Sequence, residues 1–212
     1  MFEVEKKKII EAGIKLDHYG LIALSGGNIS WRMENGKILV TPSAMIYEDM
    51  IPSDICVVDI NGKILEGSRR ISVDTEAILH ILRNRNDIHA VIHTHQPYAT
   101  ALGLVDDEIS CNLTTLANAT GGSVHVAEYS SAASIDMGVK ALKHLDEQLA
   151  VVLKHHGVIT IGRDLKQALY VCVYLEEACK TIILARTTGK KMAMMSEKQI
   201  HTAVEIFKQY GQ

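Results

Sequence analysis

Three features of the chain predict an α/β fold with a mostly antiparallel sheet. Two Asn-Gly pairs, in NISWRMENGKILVTPS and in ICVVDINGKILEG, each stand between β-type runs, the pattern of a tight hairpin turn. Two more apolar runs rich in β-branched residues, HAVIHTH and VVLKHHGVITIG, each read as one strand. Around them lie segments whose apolar residues recur at helical spacing.

The elements follow in order. Residues 3 to about 19 form an amphipathic helix closed by Gly20, with Ile9, Ile10, Ile14 and Leu16 on its apolar face. The two Asn-Gly hairpins come next. TEAILHILRN follows SVD, whose serine and aspartate suit a helix start, and predicts a second helix. After the HAVIHTH and VVLKHHGVITIG strands, LKQALYVCVYLEEACKTIILAR is a long, largely apolar helix suited to cover a sheet face, and SEKQIHTAVEIFKQYG is the last helix. The chain contains three prolines and no repeat or low-complexity tract, so residues 1–212 are expected to form one domain.

Composition narrows the function classes. Of the 212 residues 47% are apolar and only 5% aromatic, enough for a sizeable aliphatic core. A formal charge of −3, with both signs mixed along the chain, provides no electrostatic reason for nucleic acid or a membrane as partner. The N-terminal MFEVEKKKIIEAG is too charged for a signal peptide and no later window is long enough for a membrane span, so a cytoplasmic protein is expected. Cys56, Cys111, Cys172 and Cys179 have no Cys-x-x-Cys spacing and are expected to be free, buried thiols.

His93-Thr94-His95 closes a predicted strand. Side chains alternate faces along a strand, so imidazoles two residues apart project together and can share one ion. By itself such a pair also arises by chance. A third donor in LKHHGVIT, where Gly157 lets the backbone turn closely beneath a ligand, makes three neutral imidazoles with an open position, the donor set of a catalytic zinc ion. LSGGNISW supplies a glycine loop whose backbone N–H groups can approach an anion, or else a plain turn.

SGGNIS, TPSAM, SVDT, HTHQPYATAL and KHHGVIT, in this order and over almost the whole length, resemble the class II aldolase/adducin family. The resemblance implies a three-layer α/β/α domain with a mostly antiparallel central sheet, and one zinc ion per chain. It identifies His93, His95 and His156 as metal ligands, with His155 a neighbour, and Asp74 as the family acid, both ligand and proton carrier. Asp74 is also a candidate helix N-cap, and Glu76 competes for the acid's role. Family aldolases usually carry glutamate at the acid position, whereas aspartate followed by threonine occurs in related epimerases. Gly27, Asn28, Ser43, Ala44, Ser72 and Val73 match the segments that hold substrate phosphate, with Val73 replacing a serine hydroxyl; Arg69 and Arg70 stand nearby as possible electrostatic compensation. Tyr210, in the FKQYGQ tail, matches a tyrosine lent to the active site, while a tyrosine found in some members ahead of the paired glycines has no match, Thr115 standing before Gly121 and Gly122.

The activity so implied is metal-dependent cleavage of a ketose 1-phosphate, with L-fuculose 1-phosphate foremost, to dihydroxyacetone phosphate and L-lactaldehyde through a metal-stabilised enediolate. A Schiff-base route is disfavoured, because Lys154 should point to the opposite strand face from the neighbouring ligand. The alternatives are a pentulose-phosphate 4-epimerase and a noncatalytic module like the adducin head. A homotetramer with its active site near a subunit boundary is implied as well, and the broad apolar coverage of the long helix would suit it.

Overall fold

The computed structural model describes residues 1–208. Seven helices flank a nine-stranded sheet of order β4-β3-β2-β1-β5-β9-β8-β7-β6. In chain order these are α1 (Glu3–His18), β1 (Asn28–Arg32), β2 (Ile38–Val40), β3 (Cys56–Val58), β4 (Ile64–Glu66), α2 (Thr75–Asn84), β5 (Ala90–Thr94) and α3 (Pro97–Val105). Then come β6 (Glu108–Ile109), α4 (Thr114–Thr120), β7 (Val124–Ala127), α5 (Ile135–Leu145), β8 (Ala150–Leu153), β9 (Gly157–Gly162), α6 (Leu165–Thr187) and α7 (Glu197–Lys208). Every neighbouring pair is antiparallel except β7 with β8.

Both faces of the sheet are covered, which explains why its strands are apolar runs with little polar alternation. Leu39, Val57, Ala90 and Ile92 pack with Ile9, Leu16, Ala168 and Cys172 under α1 and α6. Their neighbours Ile38, Val40, Val58 and Val91 face Ile78, Leu82, Met137 and Ala141 of α2 and α5 on the other side. Val152 and Val158 continue the first face into a third cluster with α3, α4 and α6. The predicted three-layer arrangement is present. Each fully buried isoleucine or leucine contributes about 1.5–3 kcal/mol relative to exposure, and the 23 residues of α6 span roughly 35 Å at 1.5 Å per residue.

Both Asn-Gly hairpins form, with Gly36 and Gly62 at positive φ in their turns. VVLKHHGVITIG departs from its single-strand reading: it is two strands, β8 and β9, joined by a turn at residues 154–156. The pattern concealed this because both strands are buried throughout, and the three polar residues between them, Lys154, His155 and His156, read as a donor-bearing strand end. Ile14 is exposed, while Ala12 and Gly13 face inward; a Cβ on Gly13 would enter the Tyr47 ring, so α1 lies too close for a side chain there. The region from α3 to α5 carries five elements that the periodicity did not single out. All four cysteines are free and buried, and no helix among the described residues is long and apolar enough to cross a membrane.

Candidate active site

His93 lies in β5, the middle strand, and is 1% exposed. Its Nδ1 donates to the Val158 carbonyl on β9 at 2.9 Å, leaving Nε2 buried with no hydrogen-bond partner. Burial, reinforced by His156 and His95 and opposed by Asp74, lowers its pKa to about 4. His93 is therefore a neutral imidazole whose Nε2 lone pair is free, the state a metal requires. His95 follows the end of the strand, with its backbone N–H on the Leu21 carbonyl at 3.1 Å; burial and His156 lower its pKa too. His156 sits in the β8–β9 turn, and its Nδ1 is also buried and unpartnered.

The three residues' donor atoms lie within 4.8 Å of one another, and their ring centroids are separated by 4.7 to 5.4 Å. Two glycines permit the approach. A Cβ on Gly157 would run into the Thr94 carbonyl and lie 3.1 Å from His95 Cδ2 and 3.3 Å from His93 Cε1; one on Gly27, at φ 74°, would lie 2.5 Å from the His93 carbonyl oxygen. Converging imidazole nitrogens, with a buried unpartnered nitrogen on both His93 and His156, fit a divalent ion of the borderline kind that imidazole prefers. His155 points elsewhere: it is exposed, at φ 62°, with its ring 6.2 Å from that of Tyr129.

Asp74 occupies the N-cap position of α2, yet its side chain does not cap the helix. One carboxylate oxygen accepts from Asn28 Nδ2 and the other from the Ala133 N–H, both at 3.1 Å. Asp74 lines the same cleft as His95 and His156 but is outside the three-imidazole cluster. Glu76 is turned away, paired with Arg83 at 2.8 Å with its side chain 48% exposed. The Ala133 contact depends on the crossing of α2 and α5, where Gly138 lies so close that a Cβ would enter the Ala77 backbone.

The cleft holds about 230 Å³. Gly27, Ser43, Ala44, Ser72 and Val73 line it, with Asn28 buried behind, and Ser72 Oγ accepts from the Asp74 N–H at 3.3 Å. Ser25, Gly26, Pro42 and Ala132 join them. The first two belong to the glycine-loop motif itself; Ala133 acts through its backbone at φ 61°, which no residue type announces. No lysine or arginine is among the lining residues. Arg69 is held by Asp54 at 2.7 Å, and Lys154 pairs with Asp107 at 2.8 Å. Tyr210 lies outside the described residues. A larger hollow of about 330 Å³ beside α7 is lined by Gly121, Glu197, Ile200, His201, Val204 and Glu205, and among the described residues the donor group that could hold a metal is His93, His95 and His156.

With that geometry, residues 7–183 match the family described as Class II Aldolase and Adducin N-terminal domain. The chain belongs to this family. Over 213 residues it is 28% identical to the 5-deoxy-D-ribulose 1-phosphate aldolase of Bacillus thuringiensis serovar kurstaki, covering 100% of this chain and 99% of the relative. It is 30% identical to the 5-methylthioribulose-1-phosphate/5-deoxyribulose-1-phosphate aldolase of Rhodospirillum rubrum, over 96% of this chain and 90% of that one. A solved L-fuculose 1-phosphate aldolase superposes with a TM-score of 0.91 at 31% identity, over 96% and 95% of the two chains. This family member is a lyase of the aldolase type.

Proposed function

We propose that this class II aldolase, folded as one domain over its whole length, cleaves a ketose 1-phosphate to dihydroxyacetone phosphate and a short aldehyde. The convergence of His93, His95 and His156 in a cleft with the His93 Nε2 left unpartnered is the observation that carries the reading. These three imidazoles would hold one zinc ion, with Asp74 close by as a fourth donor. When bound, the ion supplies Lewis acidity at the substrate's carbonyl and adjacent hydroxyl oxygens.

The chain's own residues do the rest. Gly27, Ala44 and Val73 would offer backbone N–H groups and Ser43 and Ser72 their hydroxyls to the phosphate, without a cation among them. As the C3–C4 bond breaks, the proton of the C4 hydroxyl leaves and C4 becomes the aldehyde carbon. Asp74 then delivers a proton to C3, and in the condensing direction removes it; Asn28 and Ala133 hold its carboxylate for both tasks. Tyr210 would serve the proton on the C4 oxygen.

L-fuculose 1-phosphate, yielding L-lactaldehyde, is the first substrate to test. A 5-deoxypentulose 1-phosphate, yielding acetaldehyde, is favoured as a second reading by the two curated relatives above. Both end in a methyl group, for which Ala132 offers an apolar wall of the cleft apart from the residues assigned to the phosphate. The protein is read as cytoplasmic and homotetrameric; Tyr170, Tyr174 and Leu184, exposed on α6, offer apolar surface for assembly, which sedimentation equilibrium would measure.

Incubation of the metal-loaded protein with a panel of ketose 1- and 5-phosphates tests the reading. Release of dihydroxyacetone phosphate from a 1-phosphate is expected. Inversion at C4 of a pentulose 5-phosphate without release of fragments would make the protein an epimerase, and no change in any substrate would favour a noncatalytic module.

A further inference from the structure

Glu176 is a buried carboxylate that the reaction above does not use. It lies on α6, on the far side of the sheet from α2 and α5, and is 7% exposed. Both of its oxygens accept backbone N–H groups, Tyr98 to Oε1 at 2.8 Å and Ala99 to Oε2 at 3.0 Å. Tyr98 and Ala99 are the second and third residues of α3, and that helix has no side-chain cap of its own. The carboxylate therefore satisfies two donors that a helix start leaves open, and its charge faces the positive end of the helix.

α3 begins two residues after His95. Only Gln96 separates them; it is fully buried, and its amide donates to the Cys172 carbonyl, one turn before Glu176 on α6. His93 has its ring oriented by the bond from Nδ1 to Val158. Among the described residues no hydrogen bond orients the His95 ring, so its position is set by the backbone on either side. On one side that backbone is tied to Leu21, and on the other to α6 through Gln96 and Glu176.

The geometry points to Glu176 as a positioning residue for the metal centre, holding His95 at the ion by clamping the start of α3 to α6. This rests on the reading of His93, His95 and His156 as metal ligands, and it is independent of which sugar phosphate is cleaved. Outer groups that orient a ligand commonly change metal affinity by about ten- to a hundredfold when removed.

Cobalt titration of the metal-free protein, followed by visible absorption and by competition with a chelator, reads the effect without turnover. Glu176→Ala is expected to lower cobalt affinity at least tenfold and to alter the absorption bands. Ile182→Ala, on the same helix in the cluster with α3 and α4, should lose stability and keep parental affinity and spectrum. Where Glu176→Ala fails to fold, Glu176→Gln takes its place: its amide oxygen accepts one N–H while its NH₂ opposes the other, and an intermediate loss of affinity is expected. Parental affinity and spectrum in either folded Glu176 variant would overturn the proposal. A parental protein that bound no cobalt would overturn both this role and the metal centre, whereas failure to cleave any substrate would touch the proposed function alone.

Discussion

His93 reaches the cleft from the central strand of a nine-stranded sheet, whereas Asp74 reaches it from the residue before a ten-residue helix. The imidazole is placed by strand geometry: β5 and β9 pair with His93 opposite Ile159 and Thr94 opposite Val158, and one bond to the Val158 carbonyl sets the ring. The carboxylate is placed by contacts between remote elements, Asn28 from β1 and Ala133 from the loop before α5. A ligand set held by a sheet answers to few positions: the ligands, their glycines and the tethers of the adjoining backbone, such as Glu176 at the start of α3. An acid held by a helix crossing can be displaced from far away.

The largest effect should come from the sheet side. His156→Ala is expected to lose metal by at least about a hundredfold in affinity, on the scale at which even outer-shell groups act, and with it detectable turnover. His155→Ala should retain both, since that ring faces Tyr129; metal analysis with a turnover assay checks the pair. The reverse result would move the ligand by one residue and break the account of the β8–β9 turn.

On the helix side, Asp74→Asn should cut kcat by about 10²–10⁴-fold, the range for a positioned acid–base group. Bound metal should persist. Glu76→Gln, at a solvent-facing position paired to Arg83, should stay within about twofold in turnover, as for a surface change. If Glu76→Gln were the damaging variant, the acid would have to be reassigned.

Two glycine variants sharpen the comparison. Gly138→Ala and Gly13→Ala both insert a Cβ where none fits, against the Ala77 backbone and the Tyr47 ring respectively, and each should cost about 1–3 kcal/mol in urea unfolding. Only Gly138→Ala should also lower kcat, because it moves α5, and with it the Ala133 N–H of the preceding loop, away from Asp74. Equal kcat in the two would mean that the crossing does not hold the acid.

The smallest effect concerns Val73. Val73→Ser adds a hydroxyl to a cleft wall that otherwise offers a methyl surface. One hydrogen bond to phosphate, at about 0.5–1.5 kcal/mol, corresponds to a KM lowered by about two- to tenfold with kcat unchanged. A KM that rose instead would place Val73 against the methyl end of the substrate.

By itself the sequence determined the local devices. The two Asn-Gly turns, the three histidines, the glycine of His156-Gly157 and the long helix were all legible, because hairpin turns, strand alternation and helical period are properties of neighbouring residues. The resemblance of five short motifs selected Asp74 over Glu76; in the structure Asp74 lines the cleft and Glu76 pairs with Arg83. Only the tertiary structure decided that Lys154-His155-His156 is a hairpin turn, since three polar residues between two buried runs read equally well as the ligand-bearing end of one strand. It alone tied Asp74 to Ala133 and Asn28, and Tyr98 and Ala99 to Glu176. Those partners are 46 to 78 residues apart, and three of the four tethers use backbone N–H groups, which every residue but proline possesses and no sequence pattern can single out.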